Sequence, residues 1–119
     1  MWSLEYADAQ FSNWIRTRDG KCQFPYCNQR DGLDNSHFHL RHHSATRYEP
    51  DNCIALCRTH HEALEHPVPT KNPEYIQLML KRLGTERYKA LAQRANSIFK
   101  RDAAIINVMA LIGQPHAAL

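Results

Sequence analysis

The sequence predicts an α+β fold: a small core of knuckle, strand, loop, strand and short helix, with one helix before it and basic helices after it. Three observations carry this. Apolar residues recur at helical spacing at both ends of the chain, the middle reads as two short strands divided by polar turn residues, and the four cysteines and most of the eight histidines gather around those strands. A chain of 119 residues, 43% hydrophobic and 23% charged, suits one domain.

From about Leu4 to Thr17, Phe11, Trp14 and Ile15 fall on one helical side, and Arg18-Asp19-Gly20 reads as the stop. KCQFPYCNQRDG follows, with turn signals in Pro25, Asn28 and Gly32. Leu33 to Leu40 (LDNSHFHL) has strand character, RHHSATRYEPDN is a polar loop, and CIALC (Cys53 to Cys57) is a second strand. The short helix RTHHEALEH is ended by Pro67 and Pro69. Asn72 caps the next helix with Pro73 at its first position; Ile76, Leu80 and Leu83 form its buried stripe, and Gly84 sits where a C-terminal glycine belongs. Thr85 caps a long last helix in which Tyr88, Leu91, Ala95, Ile98 or Phe99, Ile105, Met109 and Ile112 recur at spacings of three and four. That seam suits either a homodimer through the C-terminal helix or packing back onto the core. The expected division is 1–69 for the core with its N-terminal helix and 70–119 for a basic helical extension.

The longest apolar run, AAIINVMALIG, is too short to cross a bilayer, so no membrane partner is expected. MWSLEYADAQF lacks a basic region followed by an apolar stretch, so a cytoplasmic location is expected rather than secretion. In that compartment thiols stay reduced, and cysteines among histidines read as metal ligands. The net charge of +3 is placed unevenly. Between Lys71 and Arg101 the cations outnumber the acids, which suits a polyanion partner or a solvated helix face. Lys81, Arg82 and Lys89 there, with Arg41 in the polar loop, are the candidate nucleic-acid contacts.

A tetrahedral zinc site wants four ligands delivered as two close pairs. Cys22 and Cys27 form one pair on a turn; Cys57 and His60 form the other at a helix start. Structural Zn²⁺ would staple a core too small to bury much apolar surface. Cys53 is left over and reads as a buried free thiol. His61 cannot readily share that zinc, because adjacent helical residues point about 100° apart; it faces toward the strand carrying His37. His37 and His39 alternate with Phe38, sharing one strand face. An imidazole near neutral pH beside a divalent cation can serve as the base of a phosphodiester-hydrolysing site. His42, His43 and His116 read as surface histidines.

This order of residues resembles the HNH endonuclease family, the zinc-stapled ββα-metal nucleases. The resemblance runs from Arg18 to Pro67: RDG before the first knuckle, Cys22-x4-Cys27, then NSHFHLRHHSATRYEPDN and IALCRTHH. The SATRY-x-PDN stretch and trailing helices are also similar to small phage-encoded HNH proteins, including recombination nucleases of lambdoid phages. The resemblance implies that His37 is the general base, that Asn52 braces the loop and orients that base, and that Arg47 contacts phosphate. It makes His61 a ligand of a catalytic Mg²⁺ or Mn²⁺, and Cys22, Cys27, Cys57 and His60 the zinc ligands, with His60 replacing a more usual cysteine. Many members carry Asp or His just before the base as a second ligand, where this chain has Ser36, a poor ligand for a hard cation. His39, Asp34 or Glu65 can compensate, Glu65 lying one helical turn beyond His61; His66 is a weaker candidate.

The activity implied is metal-dependent hydrolysis of DNA, in recombination or processing and in the host cytoplasm if the protein is phage-encoded. The competing reading is a weakly active or inactive zinc-stapled DNA-binding module, and a third is an assembly protein acting through the C-terminal seam. His37, Asn52 and His61 together favour the enzyme; Ser36 favours the module.

Overall fold

The computed structural model describes residues 1–113. Helix α1 spans Leu4–Asp19; the Ser3 hydroxyl accepts the Tyr6 N–H at 3.1 Å, and Gly20, at φ 71°, turns the chain out of the helix. After the knuckle, β1 (Leu33–His37) pairs antiparallel with β2 (Cys53–Cys57), Leu33 opposite Cys57 and His37 opposite Cys53. Helix α2 (Arg58–Leu64) leaves β2 directly, α3 spans Pro73–Ala95, and α4 spans Arg101–Ile112. The fold is α+β, with four helices and one two-stranded sheet among the described residues.

All five residues of β2 are buried, which is why CIALC reads as one apolar run. Ile54 and Leu56 face a core completed by Phe38, Leu64 of α2, and Tyr75, Met79 and Leu91 of α3. Cys53 faces a second core built from Ala7, Phe11 and Ile15 of α1, Tyr48, and Ala104, Ile105 and Val108 of α4. A two-stranded sheet has too little surface to be stable alone. Here helices cover both of its faces.

Two sequence expectations change. Strand β1 stops at His37 rather than Leu40, because the Phe38 N–H turns to the Asn52 carbonyl at 2.9 Å and the His39 N–H to the Asn52 side chain at 2.8 Å. The long last helix is also divided. Gly84, at φ 79° and ψ 163°, breaks the helical path within α3, as expected of a glycine at a helix end, but the helix expected from Thr85 onward stops at Ala95, and α4 begins only at Arg101. The seam residues therefore separate: Leu91 enters the first core, Ile105 the second, and Ile98 points to solvent. Leu91 and Ile105 of that seam thus pack back onto the two cores and help cover the sheet faces. No helix among the described residues is long and apolar enough to cross a membrane.

Polar ties lock α1 to the sheet. The Asp19 carboxylate, 3% exposed, accepts the Ala55 N–H at 2.8 Å, Arg18 Nε at 2.9 Å and Arg82 Nη2 at 3.0 Å. Arg18 also donates to the Pro50 and Cys53 carbonyls at 2.9 and 2.7 Å. Removing the carboxylate would leave the Ala55 N–H without its acceptor and the Arg18 and Arg82 guanidinium groups without their counter-charge. Asp19→Ala should cost about 3 kcal/mol, measured by urea unfolding of the metal-loaded protein; a loss within the noise of a surface substitution would show that the tie is not a structural one.

Candidate metal centre and histidine cleft

The knuckle is shaped by its own backbone. The Cys22 N–H donates to the Gln29 carbonyl at 2.9 Å, the Cys27 N–H to the Phe24 carbonyl at 3.0 Å, and the Gln23 N–H reaches the Ala55 carbonyl of β2 at 2.9 Å. That last bond sets the two knuckle cysteines beside the end of β2, where Cys57 also starts α2. One helical turn on, His60 points back at them. The ligand atoms of Cys22, Cys27, Cys57 and His60 lie within 4.8 Å of one another. His60 Nδ1 is 3.2 Å from Cys57 Sγ and 3.5 Å from Cys22 Sγ.

These distances suit a shared cation. A tetrahedron with ordinary zinc–sulfur and zinc–nitrogen bonds has S···N edges of about 3.6 Å. Three sulfurs and one imidazole form a soft donor set that prefers Zn²⁺ over Mg²⁺ or Ca²⁺. The surroundings are built for thiolates: the N–H groups of Phe24 and Cys57 point at Cys22 Sγ, and that of Gln29 at Cys27 Sγ. Burial and the neighbouring thiols still push Cys22 up to about 11, whereas the Gln29 N–H holds Cys27 below the ordinary thiol value. Phe24 stacks on the His60 ring at 4.1 Å and 10°, fixing the imidazole plane. Sequence reasoning missed Phe24; its signal was an aromatic inside the knuckle. Cys53 is buried and unpaired, as expected of the spare thiol, and burial raises it strongly.

His61 turns away from the sulfurs. Its Nδ1 lies 2.9 Å from Asp34 Oδ2 on β1, and its Nε2 lies 2.9 Å from Glu65 Oε1 one helical turn on. A carboxylate on one ring nitrogen is the usual way of orienting an imidazole whose other nitrogen binds a metal. Glu65 then shares the Nε2 side. Ser36, by contrast, is 1% exposed and hydrogen-bonded to the Tyr75 hydroxyl at 2.7 Å, so its hydroxyl belongs to the core. His39 is a correction as a second ligand. With β1 ended at His37 its ring leaves the strand alternation and lies against Phe38 and His43 instead. His66 is exposed and does not line the cleft. Among the described residues the sulfur cluster is the one group of three or more close ligand atoms; the cleft offers two.

His37, Asn35, Leu40, Arg41, His61 and Glu65 line one open cleft of about 320 Å³. His37 Nε2 lies 2.8 Å from the Arg47 carbonyl. A carbonyl only accepts, so Nε2 carries the proton and Nδ1 keeps a lone pair. Asn52 is fully buried; its amide donates to the His39 and Thr46 carbonyls at 2.9 and 3.1 Å. It does not touch the His37 ring. It clamps the loop so that Arg47, next to Thr46, presents its carbonyl to the imidazole.

The arginines divide. Arg47, expected at a phosphate, instead forms a bidentate pair with Asp8 of α1, at 2.9 and 2.6 Å, while the Tyr48 hydroxyl donates to the same carboxylate at 2.7 Å. Burial acts to raise Asp8, but those hydrogen bonds outweigh it and hold the carboxyl below its usual range. Arg82, expected at nucleic acid, donates to Gln23 and Asp19. Nothing local foretells these ties, since Asp8 lies 39 positions from Arg47 in the chain. Arg41 is exposed at the cleft, and Lys81 and Lys89 are exposed on α3. His42 is exposed, His43 Nδ1 donates to the Ala95 carbonyl at 2.8 Å, and His116 lies outside the described residues.

No family model, curated protein or solved structure matches the chain.

Adding Zn²⁺ to metal-free protein should release protons and restore a cooperative melt, because thiols must ionise to bind. Co²⁺ should give the visible absorption of a tetrahedral sulfur-rich site, lost in Cys22→Ser; one cation per chain is expected by atomic absorption. A metal-free protein that melts like the loaded one would contradict this.

Burial pushes His37 down to about 4, against the opposing pull of the Arg47 carbonyl, with nearby Arg41 adding to the lowering. Burial also takes His39 to about 4, with His43 contributing. Between pH 6.5 and 4 the unfolded chain thus binds more protons than the folded one, so stability present above pH 6.5 is lost as pH falls toward 4. His37 should account for roughly 3 kcal/mol of that loss. Because thiolates also protonate on acidification, the measurement is the difference in pH slope between wild type and His37→Gln; identical slopes would refute the assignment.

Proposed function

We propose that the chain is a metal-dependent DNA endonuclease in which Zn²⁺ on Cys22, Cys27, Cys57 and His60 is a structural staple and His37 is the general base. The single observation that carries this reading is the shared cleft, lined both by a His37 imidazole with its tautomer set by a backbone carbonyl and by a His61–Glu65 pair backed by Asp34. This is the chemistry that the resemblance to HNH nucleases implies. A second divalent ion, Mg²⁺ or Mn²⁺, held by His61 and Glu65, would neutralise charge on a phosphate oxygen. His37 Nδ1 takes the proton from the attacking water as its oxygen bonds to phosphorus; the bond to the 3′-oxygen breaks in line, its electron pair stays on that oxygen, and the oxygen takes a proton from solvent to become the 3′-hydroxyl. Arg41 holds the phosphate from the cleft wall, a role suited to guanidinium. Lys81 and Lys89 add phosphate contacts that position DNA without reading its sequence.

Burial keeps the His37 imidazole in its basic form at neutral pH, the form a general base requires. One observation favours the second reading, a zinc-stapled DNA-binding module without activity. Ser36 is turned into the core, leaving the cleft two ligands rather than three.

Cleavage of supercoiled plasmid, single-stranded DNA and a branched substrate with Mg²⁺ or Mn²⁺ distinguishes the two. Wild type should cut, and His37→Ala should lose about 100-fold or more of the rate, with zinc content and melting temperature recorded for both. Zinc-loaded, folded wild type that binds DNA and cuts none of the substrates would establish the module instead.

A further inference from the structure

The turn between α3 and α4 exposes apolar surface that the fold does not use. Ile98 is fully exposed and Phe99 is 38% exposed. The chain on either side is anchored, with Leu91 and Ala95 buried at the end of α3 and Ala104 and Ile105 near the start of α4. The turn itself is held. The Ser97 N–H and hydroxyl both donate to the Arg94 carbonyl, at 3.1 and 2.6 Å, and the Asn96 N–H donates to the Ala92 carbonyl at 3.3 Å. Single exposed apolar residues are ordinary; two adjacent ones at the apex of an ordered turn are a presented surface.

The charge around this apex is mostly of one sign. Arg94, Lys100 and Arg101 flank it in the chain, and the acids nearby are Asp102 in the chain and Glu49, which Arg94 approaches. Arg94 reaches Glu49 only at 3.7 Å, and its Nε–H is buried without an acceptor. The apex also stands beside the cleft's own loop. His43, two residues from Arg41, donates to the Ala95 carbonyl at the base of the turn.

We propose that Ile98 and Phe99 form a wedge that inserts between bases of distorted or branched DNA, while Arg94, Lys100 and Arg101 hold the flanking phosphates. The inference rests on the reading of the chain as a DNA-binding protein and names the form of DNA that it engages. Apolar side chains inserted at a base step, flanked by cations on the backbone, are how proteins stabilise unstacked DNA. A second copy of this chain is a poorer occupant, because a two-fold contact through the apex would set the same cations against each other.

The test uses the full, zinc-loaded chain with a four-way junction and a linear duplex of the same composition, each carrying 2-aminopurine at the centre. Wild type should bind the junction more tightly and raise its 2-aminopurine fluorescence. Ile98→Ser combined with Phe99→Ser should weaken junction binding on the order of tenfold and abolish the fluorescence rise while leaving the salt dependence unchanged; Ile98→Ser alone, at a fully exposed position, should show the same direction of change with an unchanged melting temperature. Lys100→Gln combined with Arg101→Gln should instead reduce the slope of log affinity against log salt by about two. Unchanged junction binding and fluorescence in the Ile98 and Phe99 double variant would overturn the wedge while leaving DNA binding intact. So would a dimeric wild type that the double variant makes monomeric, or binding of anionic phosphatidylserine vesicles through the apex in preference to the junction. A folded wild type that binds neither DNA would overturn the wedge together with the reading on which it rests.

Discussion

The junction at Cys57 places most of the molecule's chemistry. This residue ends β2, stands at the start of α2 and contributes a sulfur to the Cys-and-His cluster. Once the helix starts there, its geometry determines the rest. His60 comes round one turn later onto the sulfurs, His61 points about 100° away toward Asp34 on β1, and Glu65 follows on the His61 side. The cluster and the cleft are therefore not independent. A cation on the cluster would fix the first turn of α2, and that turn aims His61.

The second constraint is the buried amide of Asn52. It spans the ends of the loop after β1, bonding to His39 on one side and Thr46 on the other. A free loop of this length would cost considerable conformational entropy to hold in one shape. The clamp presents the Arg47 carbonyl to His37 and ends β1 at the same point. The Arg47 side chain then ties the loop to Asp8 of α1. One residue thus serves the imidazole with its backbone and the scaffold with its guanidinium.

Burial of β2 on both faces explains the fate of the C-terminal helices. Their apolar positions recur as an open seam would, yet two separate cores draw on them: α3 covers Ile54 and Leu56, and α4 covers α1 and Cys53. Gly84 and the turn from Asn96 to Lys100 allow the chain to change direction between the two. Its charges divide likewise, Arg82 going into the Asp19 tie while Lys81 and Lys89 stay in solvent.

Much was legible in the sequence because its physics is local. Ligand pairs closing small loops, a capped helix start, a continuous apolar strand and the angle between adjacent helical residues all depend on residues a few positions apart. From these follow the Cys22, Cys27, Cys57 and His60 cluster, the opposed directions of His60 and His61, and the strand–loop–strand–helix order. What only the tertiary structure decided depends on partners far away in the chain. Asp8 engages Arg47, Tyr75 engages Ser36, and Asn52 ends β1 early and takes His39 out of the cleft. A guanidinium or hydroxyl has the same local signature whether it meets solvent, a ligand or a buried carboxylate. Its role is set by which of these the fold brings within hydrogen-bonding distance.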